Sequence, residues 1–174
     1  MKSYKEFILD VDGVMTDGKF YYSEDGKIMK IFGPDDNDAL GLLGKYIDIR
    51  FVTGDRKGLK ISKKRIEIDM KYKLDLVSTI HRVDWIRKIY DLKEVIYMGD
   101  GIFDHFVMKE VGYSVSPNNA HILAKEHSDY ITKHNGGDRA VAEASLHIME
   151  KFFEPYDKNK LPDKGMKVSG EWKV

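Results

Sequence analysis

Asp10 and Asp12 stand one residue apart in FILDVDGVMTDG (residues 7–18), where an apolar run meets a glycine. Two carboxylates this close repel, and a fold keeps them only if a cation lies between them or one holds a proton. Two further apolar runs end in Gly-containing acidic turns. RFVTGD supplies Thr53, Gly54 and Asp55, and VIYMGDGIFD places Asp100 and Asp104 four residues apart. Carboxylate oxygens gathered in this way suit Mg²⁺, which takes one or two carboxylates and keeps some waters. The ion also neutralises phosphate charge, so the implied substrate is a phosphorylated compound. A carboxylate can attack phosphorus to give an aspartyl-phosphate. Asp12 can protonate the leaving oxygen and later take a proton from water. The Thr53 hydroxyl and the backbone N–H groups of Gly54 and Asp55 would hold phosphoryl oxygens. Gly13 suits a turn that lets backbone approach phosphate.

A plainer explanation is that Asp and Gly often follow strands because they make turns. Asp104 alone would also suit the first turn of a helix, where a carboxylate faces the positive end of the dipole. Three such turns at equivalent ends of one sheet go beyond that explanation. A calcium loop is excluded. Counting from Asp10, glycine falls at the fourth position rather than the sixth, and Tyr21 takes the twelfth, where Glu is needed.

The elements that must position these residues alternate strand and helix. Strands are predicted at residues 6–10, 47–53, 74–78, 94–100, 112–115 and 129–132. Helices are predicted near 36–46, 57–68, 82–91, 103–110, 119–126 and 139–152. Asp35 or Asp36 would cap the first of these helices. β-Rich segments at 19–23 and 27–32 flank EDG, a hairpin signal. Alternation of this kind predicts an α/β fold: a Rossmann-like parallel sheet with helices on both faces and a hairpin inserted after the first strand. Ligands of such sheets bind beyond the carboxyl ends of the strands, where the three acidic turns fall. Residues 1–154 would form one domain with its hairpin at about 19–32. Residues 155–174 would form a polar tail.

The totals agree with one soluble domain. The chain has 174 residues, 42% hydrophobic and 33% charged. Lys and Arg (29) balance Asp and Glu (29), so no net field draws it to nucleic acid or a membrane surface. With no cysteine, disulfides and thiolate metal sites are excluded. No run approaches the roughly 18 apolar residues of a membrane helix. MKSYKEFILDVDG carries acids within its short apolar stretch and does not read as a signal peptide. A cytoplasmic address is expected.

The motifs resemble those of the haloacid dehalogenase superfamily of phosphohydrolases. Asp10 to Gly18 match its Asp-x-Asp-Gly-Val-x-Thr-Asp-Gly signature, Thr53 its strand-end hydroxyl, and Gly99 to Asp104 its Gly-Asp-x-x-x-Asp. The resemblance covers residues 6 to about 150. It implies Asp10 as nucleophile and Asp12 as general acid/base. It implies Mg²⁺ held by Asp10, the backbone carbonyl of Asp12 and Asp100, with Asp104 in support. The family normally has a Lys that pairs with the nucleophile and the phosphate. Here Arg82 is one match and Lys73 the other. Arg keeps the charge and can clamp phosphate with two hydrogen bonds, but it is not a conservative replacement.

About 34 residues separate Gly18 from Thr53, too few for the cap domain that many relatives carry. Together with GDRAVAEA after Gly136, this resembles the capless 3-deoxy-D-manno-octulosonate 8-phosphate phosphatase group. That resemblance implies a phosphorylated sugar-acid substrate, either an octulosonate 8-phosphate or a nonulosonate 9-phosphate of the sialic-acid kind. It also implies homotetramers that associate through their hairpins. Phe20, Tyr21, Tyr22, Ile28, Met29 and Ile31 are many apolar groups for an isolated ribbon. Lys30 and Arg139 would then meet the substrate's carboxylate or hydroxyls. The basic run Lys57, Lys60, Lys63, Lys64 and Arg65 reads as a solvated helix face. The alternatives are a broad-specificity phosphatase, a phosphomutase-like transferase, a phosphorylatable receiver, and a weakened domain that scaffolds a cytidylyltransferase-type partner.

Overall fold

Strand residues that alternate between two apolar faces build the centre of the molecule. The computed structural model describes residues 4–162, so residues 163–174 of the expected tail lie outside the described residues. Six parallel strands form one sheet: β1 (Glu6–Asp10), β4 (Asp48–Thr53), β5 (Lys73–Leu76), β6 (Val95–Met98), β7 (Tyr113–Ser116) and β8 (Tyr130–Ile131). Their order is β5-β4-β1-β6-β7-β8. The chain runs outward from β1 to β4 and β5, then crosses back to lay β6, β7 and β8 on the other side of β1. The order therefore reverses at β1, and Asp10 is its last residue. In open α/β sheets the ligand crevice forms at this reversal, beyond the carboxyl ends.

Both faces are covered, because side chains alternate along each strand. Phe7, Leu9, Phe51, Ile96 and Met98 point into one core with Leu40, Leu43, Ile66, Val141, Ala144 and Ile148. These come from α1 (Asp36–Leu43), α6 (Ala140–Phe152) and a wide helical turn at Lys64–Asp69. Ile8, Val52, Val95 and Tyr97 point into the other core with Ile86, Val107, Met108 and Ala124. Those helical residues come from α3 (Arg82–Ile89), α4 (Asp104–Met108) and α5 (Ile122–Glu126). The basic stretch after β4 forms α2 (Leu59–Lys63) and then widens at Lys64–Asp69 instead of continuing as one helix.

The hairpin is present as β2 (Tyr21–Ser23) and β3 (Gly26–Met29), a two-stranded sheet separate from the main one. Tyr22 (60% exposed) and Ile28 (58%) carry its apolar surface into solvent. Among the described residues no separate cap domain is formed.

The expected capping of α1 is corrected. Asp35 occupies the N-cap position in a left-handed conformation (φ 65°) and makes no side-chain cap hydrogen bond. Its carboxylate instead accepts from Arg139 Nε at 2.7 Å. Asp36 Oδ1 accepts from Ala142 N at 2.9 Å, so this carboxylate caps α6 rather than its own helix. Tertiary proximity of the two helix N-termini decides this, and no local sequence signal shows it. Arg139 is thereby committed to Asp35 and Asp138.

Candidate active site

Three carboxylates meet where the sheet order reverses. Asp10 ends β1, Asp100 lies two residues beyond β6, and Asp104 opens α4. One oxygen from each lies within 4.8 Å of the others. Such crowding needs positive charge, and Arg82, at the start of α3 and only 1% exposed, supplies part of it. Its Nη1 donates to Asp10 Oδ2 (2.7 Å), Asp104 Oδ1 (2.9 Å) and the Tyr97 hydroxyl (2.7 Å), and its Nη2 donates to Asp10 Oδ1 (3.1 Å). Burial works against the guanidinium's charge, but Asp10, Tyr97 and Asp104 outweigh it and hold its pKa well above the ordinary value.

Asp104 has no idle oxygen. Oδ1 also accepts from the Tyr97 hydroxyl (2.6 Å), and Oδ2 accepts from Asp100 N (3.0 Å) and Gly101 N (2.8 Å). It therefore fixes the backbone that carries Asp100. Asp100 is different: among the described residues no cation pairs with its carboxylate. Burial, reinforced by Asp10 and Asp104, pushes its pKa up to about 8. Burial likewise raises Asp10 to about 6 against the opposing pull of Arg82. A buried oxygen cluster short of positive charge is what a divalent cation relieves, and the donor set fits Mg²⁺.

Gly13 makes the cluster sterically possible. Its φ is +88°, and a Cβ there would lie 2.0 Å from Asp100 Oδ2. Its N–H donates to Thr16 Oγ1 at 3.2 Å. The absence of a side chain at Gly13 thus permits close approach to Asp100, while its N–H is directed at Thr16. Gly136 plays a similar part from the far end of the chain, since a Cβ there would lie 1.8 Å from the Gly13 carbonyl oxygen.

Asp12 sits beside the cluster with a partner set of its own. Lys30 Nζ lies 2.7 and 2.9 Å from its two oxygens, and the buried Thr53 hydroxyl donates to Oδ2 at 3.2 Å. Thr53 Oγ1 also accepts from Asp55 N at 3.0 Å, so the N–H expected to bind phosphate from Asp55 is already used. The Asp55 carboxylate pairs with Lys27 and Lys30. Burial would raise its pKa, but hydrogen bonds from those two lysines bring it down to about 2. Gly54 directly follows β4 at the level of the site.

Lys73 is corrected outright. It pairs in register with Arg50, three residues before the Thr53–Leu76 level, which is roughly 10 Å along the strand. It lines a cleft of about 420 Å³ with Glu6, Asp48 and Tyr90 at the opposite end of the sheet. Arg82 alone of the two candidates reaches Asp10. Two participants were not singled out for these contacts from sequence. Tyr97 is a hydroxyl in an otherwise apolar strand, VIYM. Lys30 is a cation set between Met29 and Ile31, which is a detectable oddity.

The topology, with acids at the strand-order reversal, is that of an α/β protein whose ligand site lies beyond the carboxyl ends of the strands, and comparison with known proteins gives the class. The sequence profile of the haloacid dehalogenase-like hydrolases matches residues 56–144. The chain belongs to this family. Within it, the chain is similar to the 3-deoxy-D-manno-octulosonate 8-phosphate phosphatase KdsC of Escherichia coli K12. The two are 34% identical over 140 residues, 78% of this chain and 74% of that protein. Among solved structures it is similar to the 3-deoxy-D-manno-octulosonate 8-phosphate phosphatase of Moraxella catarrhalis, in complex with magnesium, phosphate and KDO. That likeness has a TM-score of 0.72 at 27% identity, covering 86% of this chain and 87% of the other. The cobalt-bound Haemophilus influenzae phosphatase gives a TM-score of 0.73 at 26% identity, covering 86% and 89%.

Proposed function

We propose that this chain is a Mg²⁺-dependent phosphomonoester hydrolase acting on a phosphorylated sugar acid, with 3-deoxy-D-manno-octulosonate 8-phosphate foremost. The carrying observation is the buried Asp10, Asp100 and Asp104 cluster, which Arg82 only partly neutralises. The names of the similar phosphatases supply the substrate class. Asp10, Asp100 and the backbone carbonyl of Asp12 would hold Mg²⁺, which when bound offsets phosphate charge.

The chain's own residues then divide the work. A carboxylate oxygen of Asp10 forms a bond to phosphorus as the bond to the leaving oxygen breaks, giving an aspartyl-phosphate. Asp12 gives its proton to that leaving oxygen. In the second half it takes a proton from the water that attacks phosphorus, and phosphate leaves Asp10 free. Arg82 keeps Asp10 in place through two hydrogen bonds, and the Thr53 hydroxyl sits beside Asp12.

We further propose that the chain assembles as a homotetramer through its hairpin. Support comes from the exposure of Tyr22, Ile28 and Met29 on a ribbon that, among the described residues, pairs with no other strand. The experiment is phosphate release with Mg²⁺ across octulosonate, nonulosonate and hexose phosphates, with Asp10→Asn beside the parent. Fast release from one sugar acid, lost in the variant, is the expected result. Fast release from a nonulosonate 9-phosphate alone would move the substrate to that class. Slow release from all would assign a broad-specificity phosphatase, and none from any would overturn the proposal.

A further inference from the structure

Lys30 is the most deeply buried ammonium among the ion pairs, with a side chain that is fully inaccessible. It touches the two Asp12 oxygens at 2.7 and 2.9 Å, Asp55 Oδ2 at 2.9 Å and Ser62 Oγ at 2.8 Å. Lys27, three residues earlier on the hairpin, pairs with the same Asp55 oxygen, and its Nζ lies 3.3 Å above the centre of the Phe20 ring. Charges therefore alternate along a chain from the hairpin to the site: Lys27, Asp55, Lys30, Asp12. Asp55 is itself fixed, because its Oδ1 accepts from Gly58 N at 3.0 Å. A Cβ at Gly58 would lie 2.1 Å from Asp55 Oδ2 and 2.8 Å from Lys30 Cε, so the loop after β4 closes tightly on the pair.

A buried ammonium needs partners for its three hydrogens, and this set supplies them at fixed positions. Lys30 has no freedom to swing toward a ligand without abandoning Asp12 or Asp55. Asp12, in contrast, has among the described residues only the Thr53 hydroxyl as a second side-chain partner, at a longer 3.2 Å. The geometry points to Lys30 as a positioning residue that sets the Asp12 carboxyl in line with the leaving oxygen, with Asp55 and Lys27 holding Lys30. This rests on the proposed acid/base role of Asp12. It gives the hairpin a second task, since the side of the ribbon that carries Lys27 and Lys30 controls the acid while other residues stay exposed.

A residue that positions a general acid matters most when the leaving group is poor, because an aryl oxide departs with little protonation while an alkoxide does not. The test compares p-nitrophenyl phosphate with 3-deoxy-D-manno-octulosonate 8-phosphate, an alkyl ester, at saturating Mg²⁺, for the parent, Asp12→Asn, Lys30→Met, Lys30→Arg and Asp55→Asn. General acid catalysis contributes roughly 10²–10⁴-fold. Lys30→Met is therefore expected to lose about 100-fold in kcat on the alkyl ester and about tenfold or less on the aryl ester, in the pattern of Asp12→Asn. Lys30→Arg should recover part of the alkyl loss. Asp55→Asn keeps both lysines and should show the same selectivity more weakly; it carries the test if Lys30→Met does not fold. Equal losses on both esters, or a change in KM alone, overturn the positioning role while leaving the phosphatase intact. Failure of the parent to release phosphate from any sugar-acid phosphate, or full activity in Asp10→Asn, overturns the underlying reaction.

Discussion

Arg82 offers the sharpest test of how the site is held together. Replacing it with Met removes the guanidinium from Asp10 and Asp104 and leaves three carboxylates with oxygens within 4.8 Å of one another and no cation among them. Breaking one buried pair costs about 3–5 kcal/mol. A chain of this size shifts by roughly 2–4 °C per kcal/mol, so a fall of about 6–20 °C in Tm is expected without metal. Asp10 limits the damage by taking a proton, since burial already holds its pKa near 6 with Arg82 in place. Asp10 also loses the two hydrogen bonds that orient it toward phosphorus, so phosphate release at pH 7 should fall about 100-fold. Arg82→Lys restores the charge but not the geometry. One ammonium cannot reach both Asp10 oxygens, Asp104 Oδ1 and the Tyr97 hydroxyl together, so about half of the lost Tm should return. Thermal unfolding at pH 7, with and without Mg²⁺, reads these differences beside a phosphate-release assay. An Arg82→Met protein with parental Tm would refute the claim that the guanidinium neutralises the cluster.

Other perturbations follow from the same geometry. Gly13→Ala places a methyl group 2.0 Å from Asp100 Oδ2 at φ +88°, so the Mg²⁺-induced rise in Tm should vanish while the apo protein still folds. In the metal-free protein Asp10 and Asp100 bind protons more tightly folded than unfolded, with pKa values of about 6 and about 8 against an ordinary 3.8. Stability should therefore fall as pH rises from about 4 to 8, and Mg²⁺ should raise Tm more at pH 8 than at pH 6; an effect independent of pH would contradict this. Asp36→Ala removes the acceptor that caps α6 and should cost about 1–2 kcal/mol in urea unfolding, whereas Asp36→Asn keeps an acceptor and should cost less. Tyr22→Ser with Ile28→Ser should lower the mass seen in analytical ultracentrifugation if the hairpins join subunits.

The local order of residues determined a good deal by itself. Apolar runs of strand length ending in DVDG, TGD and GDG located three strand ends, and the alternation of strands with helices foretold a sheet covered on both sides. These signals are legible because side-chain direction in a strand has a period of two, and because turn chemistry is local. The same logic gave the acids their common end of the sheet, since parallel strands all present their carboxyl ends to one side. Tertiary structure decided the partners. Whether Arg82 or Lys73 faces Asp10 depends on where the fold places each: Lys73 begins β5, three residues of register before the Thr53 level, while Arg82 opens α3 beyond the carboxyl end of that strand. Asp36 looks like a cap for its own helix, yet serves one that begins more than 100 residues later. Lys30 lies in a surface ribbon by sequence but is buried against Asp12 and Asp55, because the hairpin folds back over the loop after β4. Charge pairing and hydrogen bonding act through space over a few ångströms, so contacts between residues 18, 41 or 72 positions apart leave no periodic trace in the chain that makes them.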